Sequence, residues 1–200
     1  MHLFGITFGE GNSKIGDVFN FSLPSVKTCP GKSAWCEKHC NMSRFEQFRP
    51  NCLQAYQRNF LIAKQPEKFT ETVIGILPRI LPAFRIHVSG DFWSSVYIQS
   101  WIKICFTFPQ TKFWGYTRSW AIPELKPELE KLINLPNVEL FASTDPTMPH
   151  PPENWRTAYL NTDSQANGIL CTHQENKLTS CLDCRFCFSE NKGNVIFNVH

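Results

Sequence analysis

Apolar and polar side chains alternate over residues 17–23, the period of two that fits a half-buried strand, and Pro24 stops it. The period then lengthens. Phe45, Phe48, Cys52, Ala55, Tyr56 and Phe60 recur at helical spacing, with Ser43 and Glu46 forming a capping-box signature and Pro50 marking a kink or a fresh start near Asn51. A second helix is expected from Pro66, with Phe69, Val73, Ile76, Leu77 and Ile80 as its apolar face. A strand over residues 84–88 follows, then a helix capped by Ser94 or Ser95 that carries Tyr97, Trp101, Ile104, Cys105 and Phe108. Residues 112–116 predict a strand, Pro123 opens a helix with Leu125, Leu129, Leu132 and Ile133 inward, and residues 138–142 predict another strand. Short strands are expected at 157–160 and 168–170 and a last one at 195–199.

Strands that alternate with helices pair in parallel through right-handed crossovers. The pattern predicts an α/β fold, a partial (β/α) barrel of about six parallel strands, because a complete barrel typically needs about 250 residues and this chain has 200. A doubly wound open sheet is the alternative. The expected organisation is one domain over residues 1–200, with an N-terminal arm at 1–16, a βα core at 17–163 and a Cys-rich C-terminal segment at 164–200. In either fold the functional edge lies at the C-terminal ends of the strands. There the sequence places Ser89-Gly90-Asp91, Tyr116-Thr117-Arg118, Ser143-Thr144-Asp145 and Asn161-Thr162-Asp163.

The formal charge of +3 is mild and its Lys and Arg are scattered, so a nucleic-acid partner is allowed but not indicated. No segment has the roughly 20 apolar residues of a membrane span and no secretion signal opens the chain, which makes a membrane partner unexpected and the cytoplasm the default location. The six Trp and seventeen Phe mostly follow apolar periodicity and read as core.

Nine cysteines change this picture. Without a secretion signal, clustered thiols point to metal rather than disulfides. Cys29, Cys36 and Cys40 fall within twelve residues, in a loop opened by Pro30 and Gly31 directly after the first core strand. A four-iron cube held by three thiolates leaves one iron free for a small molecule or a fourth protein ligand, and His39 is the nearest candidate, although its place beside Cys40 directs it outward. Cys171, Cys181, Cys184 and Cys187 form a second set, with two successive two-residue gaps, that suits a structural zinc or a second closed cluster. One of these thiols could instead complete the N-terminal set. His173 offers a spare ligand, with a surface histidine as the plainer reading. Cys52 and Cys105 lie on apolar helical faces and read as core.

Asp91, Asp145 and Asp163 are each ordinary turn residues or ligand-binding carboxylates, and only their repeated position after strands favours the second. Gly90 would let backbone approach a ligand. Arg118 and Tyr116 could hold a carboxylate or stack on a base, against a surface ion pair and a core aromatic.

The three-Cys loop, the turn Ser89-Gly90-Asp91 and a partial barrel of this length resemble the radical S-adenosylmethionine superfamily. The stretches Cys29-Pro30-Gly31-Lys32 through Cys40, Val88-Ser89-Gly90-Asp91-Phe92 and Tyr116-Thr117-Arg118-Ser119-Trp120 also resemble a bacteriophage family called gene product eighty-eight, which would make the host cytoplasm the location. The superfamily resemblance implies a [4Fe–4S] cluster on Cys29, Cys36 and Cys40, S-adenosylmethionine on the fourth iron, an external electron donor, and a radical that takes hydrogen from a substrate the resemblance does not identify. It further implies that Ser89, Gly90 and Asp91 meet the methionine amine, that Ser143, Thr144 and Asp145 meet the ribose, and that the four C-terminal cysteines form an auxiliary site. The spacing departs from the superfamily's, six and three residues between thiols instead of three and two, and His39 replaces the usual aromatic before the last Cys. A redox or regulatory cluster protein without that cofactor, and a zinc-stabilised nucleic-acid-binding module, are the rival expectations.

Overall fold

The computed structural model describes residues 2–176, 179–189 and 193–199. A two-stranded hairpin, β1 (His2–Leu3) and β2 (Ile6–Thr7), precedes a seven-stranded sheet. The sheet's strands are β3 (Phe19–Phe21), β4 (Ala83–Ile86), β5 (Lys112–Thr117), β6 (Val138–Ser143), β7 (Arg156–Leu160), β8 (Ile169–Leu170) and β9 (Val195–Phe197). They lie in the order β3-β4-β5-β6-β7-β9-β8, and every pairing is parallel. The protein is therefore α/β with one more parallel strand than expected, an arrangement consistent with a partial barrel. The helices are α1 (Ala34–Lys38), α2 (Asn41–Phe48), α3 (Pro50–Ala63), α4 (Pro66–Ile76), α5 (Ser95–Thr107), α6 (Lys126–Ile133), α7 (Thr172–Glu175) and α8 (Cys181–Cys184).

Alternation along the strands divides the core in two. Phe21, Phe84, Ile86, Phe113, Leu140 and Ala142 pack with the helices, where Trp101, Tyr97 and Phe69 are fully buried. Ala83 and Trp114 face the other way, against Phe188, Leu182, Cys181 and Cys187. The Cys-rich C-terminal segment thus covers the inner face of the sheet.

Local reading failed at three places. The helix restarts at Pro50, as the sequence leads one to expect, but the stripe it was to carry before that point is not buried, and Phe45 and Phe48 are exposed. The Pro66 helix ends at Ile76, so Ile80 lies beyond it in solvent. Residues 1–16, expected as an arm, send Ile6 and Phe8 into the main core, fastened by Asn59, which donates to the Thr7 and Ser22 carbonyls and accepts from the Thr7 N–H.

His87, just beyond β4, is buried in the left-handed region at φ 58° with Nε2 at 2.8 Å from the Tyr97 hydroxyl. Burial, with the Arg85 guanidinium adding to it, pushes its imidazole down to about 3 from an ordinary 6.5. Between those values the unfolded chain takes a proton that the folded one refuses, so stability falls as pH falls, by up to about 1.4 kcal/mol per unit. His87→Asn, which carries no titrating proton and tolerates a left-handed backbone, is expected to flatten this limb. Urea unfolding of both proteins from pH 7 to pH 4 checks it; parallel pH profiles would reject a buried neutral His87. Asp91, pushed up by burial, acts in the opposite sense and is common to both proteins.

Candidate metal centres

The three N-terminal thiols occupy three different backbone settings. After β3 the chain passes through Val26 at φ 60°, a strained choice for a β-branched residue. Thr28 then donates to the Pro24 carbonyl at 2.7 Å, and Cys29 follows in the loop. Ser33 caps α1, accepting from the Cys36 N–H at 2.9 Å while its hydroxyl donates to Asp145 Oδ2 at 2.6 Å. Cys40 caps α2, its sulfur facing the Ser43 N–H at 3.4 Å. Ser43 is thus not the cap that the sequence signature named.

Two of these thiols sit where burial disfavours ionisation. Burial, then the Asp91 carboxylate, then Cys36 and Cys40 push the Cys29 thiol well above its usual range. Burial likewise raises Cys36, against the opposing Arg118 guanidinium and with Cys40, Asp145 and Asp91 adding to it. His39 stacks on Trp35 at 4.4 Å, its Nδ1 2.9 Å from the Trp35 carbonyl, which occupies one ring nitrogen within α1.

Around the loop stand the residues predicted at the strand ends. Asp91 is buried; Oδ1 accepts from Thr117 Oγ1 at 2.6 Å and the Phe92 N–H at 2.7 Å, and Oδ2 from the Arg118 N–H at 2.8 Å. Gly90 sits at φ 79°, where a Cβ would lie 2.6 Å from both Leu23 Cβ and Thr28 Oγ1. Arg118 pairs with Asp145 and donates to the Thr144 carbonyl at 3.3 Å. Burial pushes Asp145 up, but hydrogen bonds from Ser33 and Thr147, with Arg118, outweigh it and hold the carboxyl below its ordinary value. Ser89 is occupied elsewhere: its hydroxyl donates to Glu46 Oε1 at 2.8 Å inside the fold. Asp163 accepts from the Gln165 N–H at 3.0 Å, a turn contact.

The C-terminal set is distinct. Cys171, Cys181, Cys184 and Cys187 line one cavity of about 20 Å³ with Tyr116 and His173. Tyr116 donates to Cys187 Sγ at 2.9 Å, and Thr172 Oγ1 lies 3.0 Å from Cys184 Sγ. The structure therefore assigns Tyr116 to this set and Arg118 to the other. His173 is buried, not at the surface, with Nδ1 3.0 Å from the Thr179 carbonyl. Burial pushes Cys181 up to about 11 and raises Cys187, with Arg85 opposing at both. The cavity that the four C-terminal thiols line holds none of the N-terminal three. Cys105 is core as expected, while Cys52 is half-buried.

As they stand, no group of three or more His, Cys, Asp or Glu among the described residues is arranged to hold a metal ion. Loading either set would have to draw thiols together and release their protons. The donor types nevertheless fit soft metals: three thiols of one loop, with Cys36 facing the Arg118 guanidinium, in one place, and four around a single cavity in the other.

Sequence reasoning missed Glu46, Ser33, Lys14 and Arg85. Ser33 carried a signal, as a Ser before a helical turn, but its Asp145 partner lies 112 positions away.

A parallel α/β protein with thiols gathered at the sheet's C-terminal edge and over its inner face is the class that fold and site define. The chain belongs to the Gene product 88 family, whose profile matches residues 7–190. It is similar to the Gene 88 protein of Mycobacterium phage D29, 28% identical over 151 residues, which are 68% of this chain and 60% of that one. The Gene 88 protein of Mycobacterium phage L5 is also 28% identical over 151 residues, 68% and 61% of the two chains. The matched part thus spans about three fifths of the length of these curated relatives. These findings support the phage-family resemblance. No solved structure matches. Among the described residues no helix is long and apolar enough to cross a membrane.

Proposed function

We propose that this is an iron–sulfur protein in which Cys29, Cys36 and Cys40 hold a [4Fe–4S] cluster with one iron open. The observation that carries this reading is that three half-buried thiols share one short loop, which Ser33 ties to Asp145 at the C-terminal edge of the parallel sheet. A cluster ligated by three thiolates carries negative charge, which Arg118 would offset at short range. Bound S-adenosylmethionine on the open iron would supply hydrogen-abstraction chemistry. The chain's own part is positional. Ser33, Arg118 and Asp145 tie the thiol loop to the end of β6, and Asp91 ties the turn after β4 to the end of β5.

The C-terminal set supports a second reading, zinc. A cavity of about 20 Å³ has room for one water-sized body, and a four-iron cube is far larger. Four thiolates around one zinc would close the C-terminal segment over the sheet.

Anaerobic purification followed by iron, sulfide and zinc analysis tests both. About four irons and one zinc per chain are expected. An electron paramagnetic resonance spectrum of the reduced protein that changes on adding S-adenosylmethionine is expected from an open iron; an unchanged spectrum would make it a closed redox centre. A colourless protein with zinc alone after full reconstitution would reject the cluster.

A further inference from the structure

Between the two thiol groups, on the inner face of the sheet, lies a cleft of about 360 Å³, within the range of small-ligand sites. It opens past the C-terminal ends of β4 to β7 and β9, where Val88, Tyr116, Ser143, Leu160 and Phe197 line it. Met42, two residues beyond Cys40, closes one side, and Lys14 lines both this cleft and the C-terminal thiol cavity.

The electrostatics of this face are uneven. Arg156 is paired with Glu139 at 3.1 Å and donates to the Gly193 and Phe186 carbonyls, at 3.0 Å each. Arg85 and Lys14, both half-buried in the cleft wall, make no ion pair with another described residue. Arg85 spends its Nε–H on the His87 carbonyl at 3.1 Å and lays its guanidinium 4.3 Å from the Tyr116 ring centre. Lys14 holds its ammonium 4.7 Å from the Phe197 ring centre. Aromatic faces orient a cation without neutralising it. Two such charges in a partly desolvated cleft attract an anion far more strongly than they would in bulk water.

We propose that this cleft binds a small organic anion, a carboxylate or phosphate carried on an apolar body, with Arg85 and Lys14 as its counter-charges. The planar Arg85 fork suits two oxygens of either group. Ser143 and Asn198 supply neutral donors, and Met42, Tyr116 and Phe197 supply the surface for the apolar body. The inference rests on the cluster reading only in taking the occupant as a substrate held beside the N-terminal centre.

Benzoate and phenyl phosphate separate the two anion types, and benzamide is the uncharged control. Isothermal titration of the 200-residue chain, purified anaerobically, is expected to show saturable binding of at least one anion and none of benzamide. Arg85→Gln and Lys14→Met should each weaken binding tenfold or more with the circular dichroism spectrum unchanged. Arg85→Lys should restore part of the loss, and raising the salt concentration should weaken binding in the unaltered protein, which keeps a readout if a variant fails to fold. Absence of binding by both anions, equal binding of benzamide, or anion binding that ignores both substitutions would overturn the proposal. So would substitutions that leave no anion effect but empty the C-terminal thiols of metal, because the two cations would then serve those thiolates. Iron content measured on the same samples keeps the questions apart: iron present without anion binding defeats this inference alone, and anion binding without iron defeats the cluster reading alone.

Discussion

Gly31→Ala is expected to destabilise the protein by about 3 kcal/mol or more and, on the proposed cluster reading, to abolish iron uptake by the N-terminal thiols. Gly31 is buried where the thiol loop meets the end of β5, and a Cβ there would land on the Arg118 carbonyl, with the Ser119 amide nitrogen at 2.9 Å. Both obstacles are backbone, so no side-chain rotation relieves them. Overpacking in a site that can relax costs about 1–3 kcal/mol, and this one cannot relax without moving a strand end. The Arg118 segment is fixed from two sides, by its N–H on Asp91 and its guanidinium on Asp145. The loop must therefore retreat, taking Cys29 and Cys36 with it. Urea unfolding and iron analysis of the reconstituted variant check this. A variant as stable and as iron-rich as the parent would mean that the loop does not dock against β5.

Gly31 also marks the limit of what could be read from the amino-acid order. Its neighbour Pro30 made the stretch legible as a loop, yet the reason for a glycine is a contact with a residue 87 positions later. The strand centres were legible because they are short apolar and aromatic runs, buried on both faces, between turn residues. The helix carrying Tyr97, Trp101, Ile104 and Cys105 was legible because thirteen residues give the period time to declare itself. By contrast α1, α7 and α8 are four or five residues long and show no period at all. The order of the last strands was equally hidden: β9 inserts between β7 and β8, a choice made by tertiary packing of the Cys-rich segment. At the edge itself, sequence position correctly brought Asp91, Arg118 and Asp145 to the thiol loop. It did not say that Ser89, past the end of β4, would turn inward, or that the C-terminal segment would fold its thiols onto the face of β5 that Tyr116 shares with Trp114, since the first depends on how the chain leaves the strand and the second on tertiary packing.

Glu46→Ala should be nearly as damaging, at about 3–5 kcal/mol, although Glu46 reads as an ordinary first-turn helix residue. In the fold it is buried and collects three donors: the Ser25 N–H at 2.9 Å and the Ser89 hydroxyl at 2.8 Å on Oε1, and the Ser25 hydroxyl at 2.8 Å on Oε2. It thereby fastens the start of the thiol loop to the turn that carries Gly90 and Asp91. Removing it strands those donors inside the protein, each at roughly 1–3 kcal/mol and not fully additive. Glu46→Gln separates charge from connectivity. Its carbonyl oxygen can keep the two contacts of Oε1, and its amide can donate to a reoriented Ser25 hydroxyl, so a loss of only about 1 kcal/mol is expected. Thermal unfolding of the two variants measures the difference, and iron content follows whether the loop keeps its place. If alanine proves as mild as glutamine, the Ser25 and Ser89 segments are held by other means and the carboxylate is incidental. If glutamine proves as severe as alanine, it is the second acceptor oxygen of the carboxylate that the fold requires.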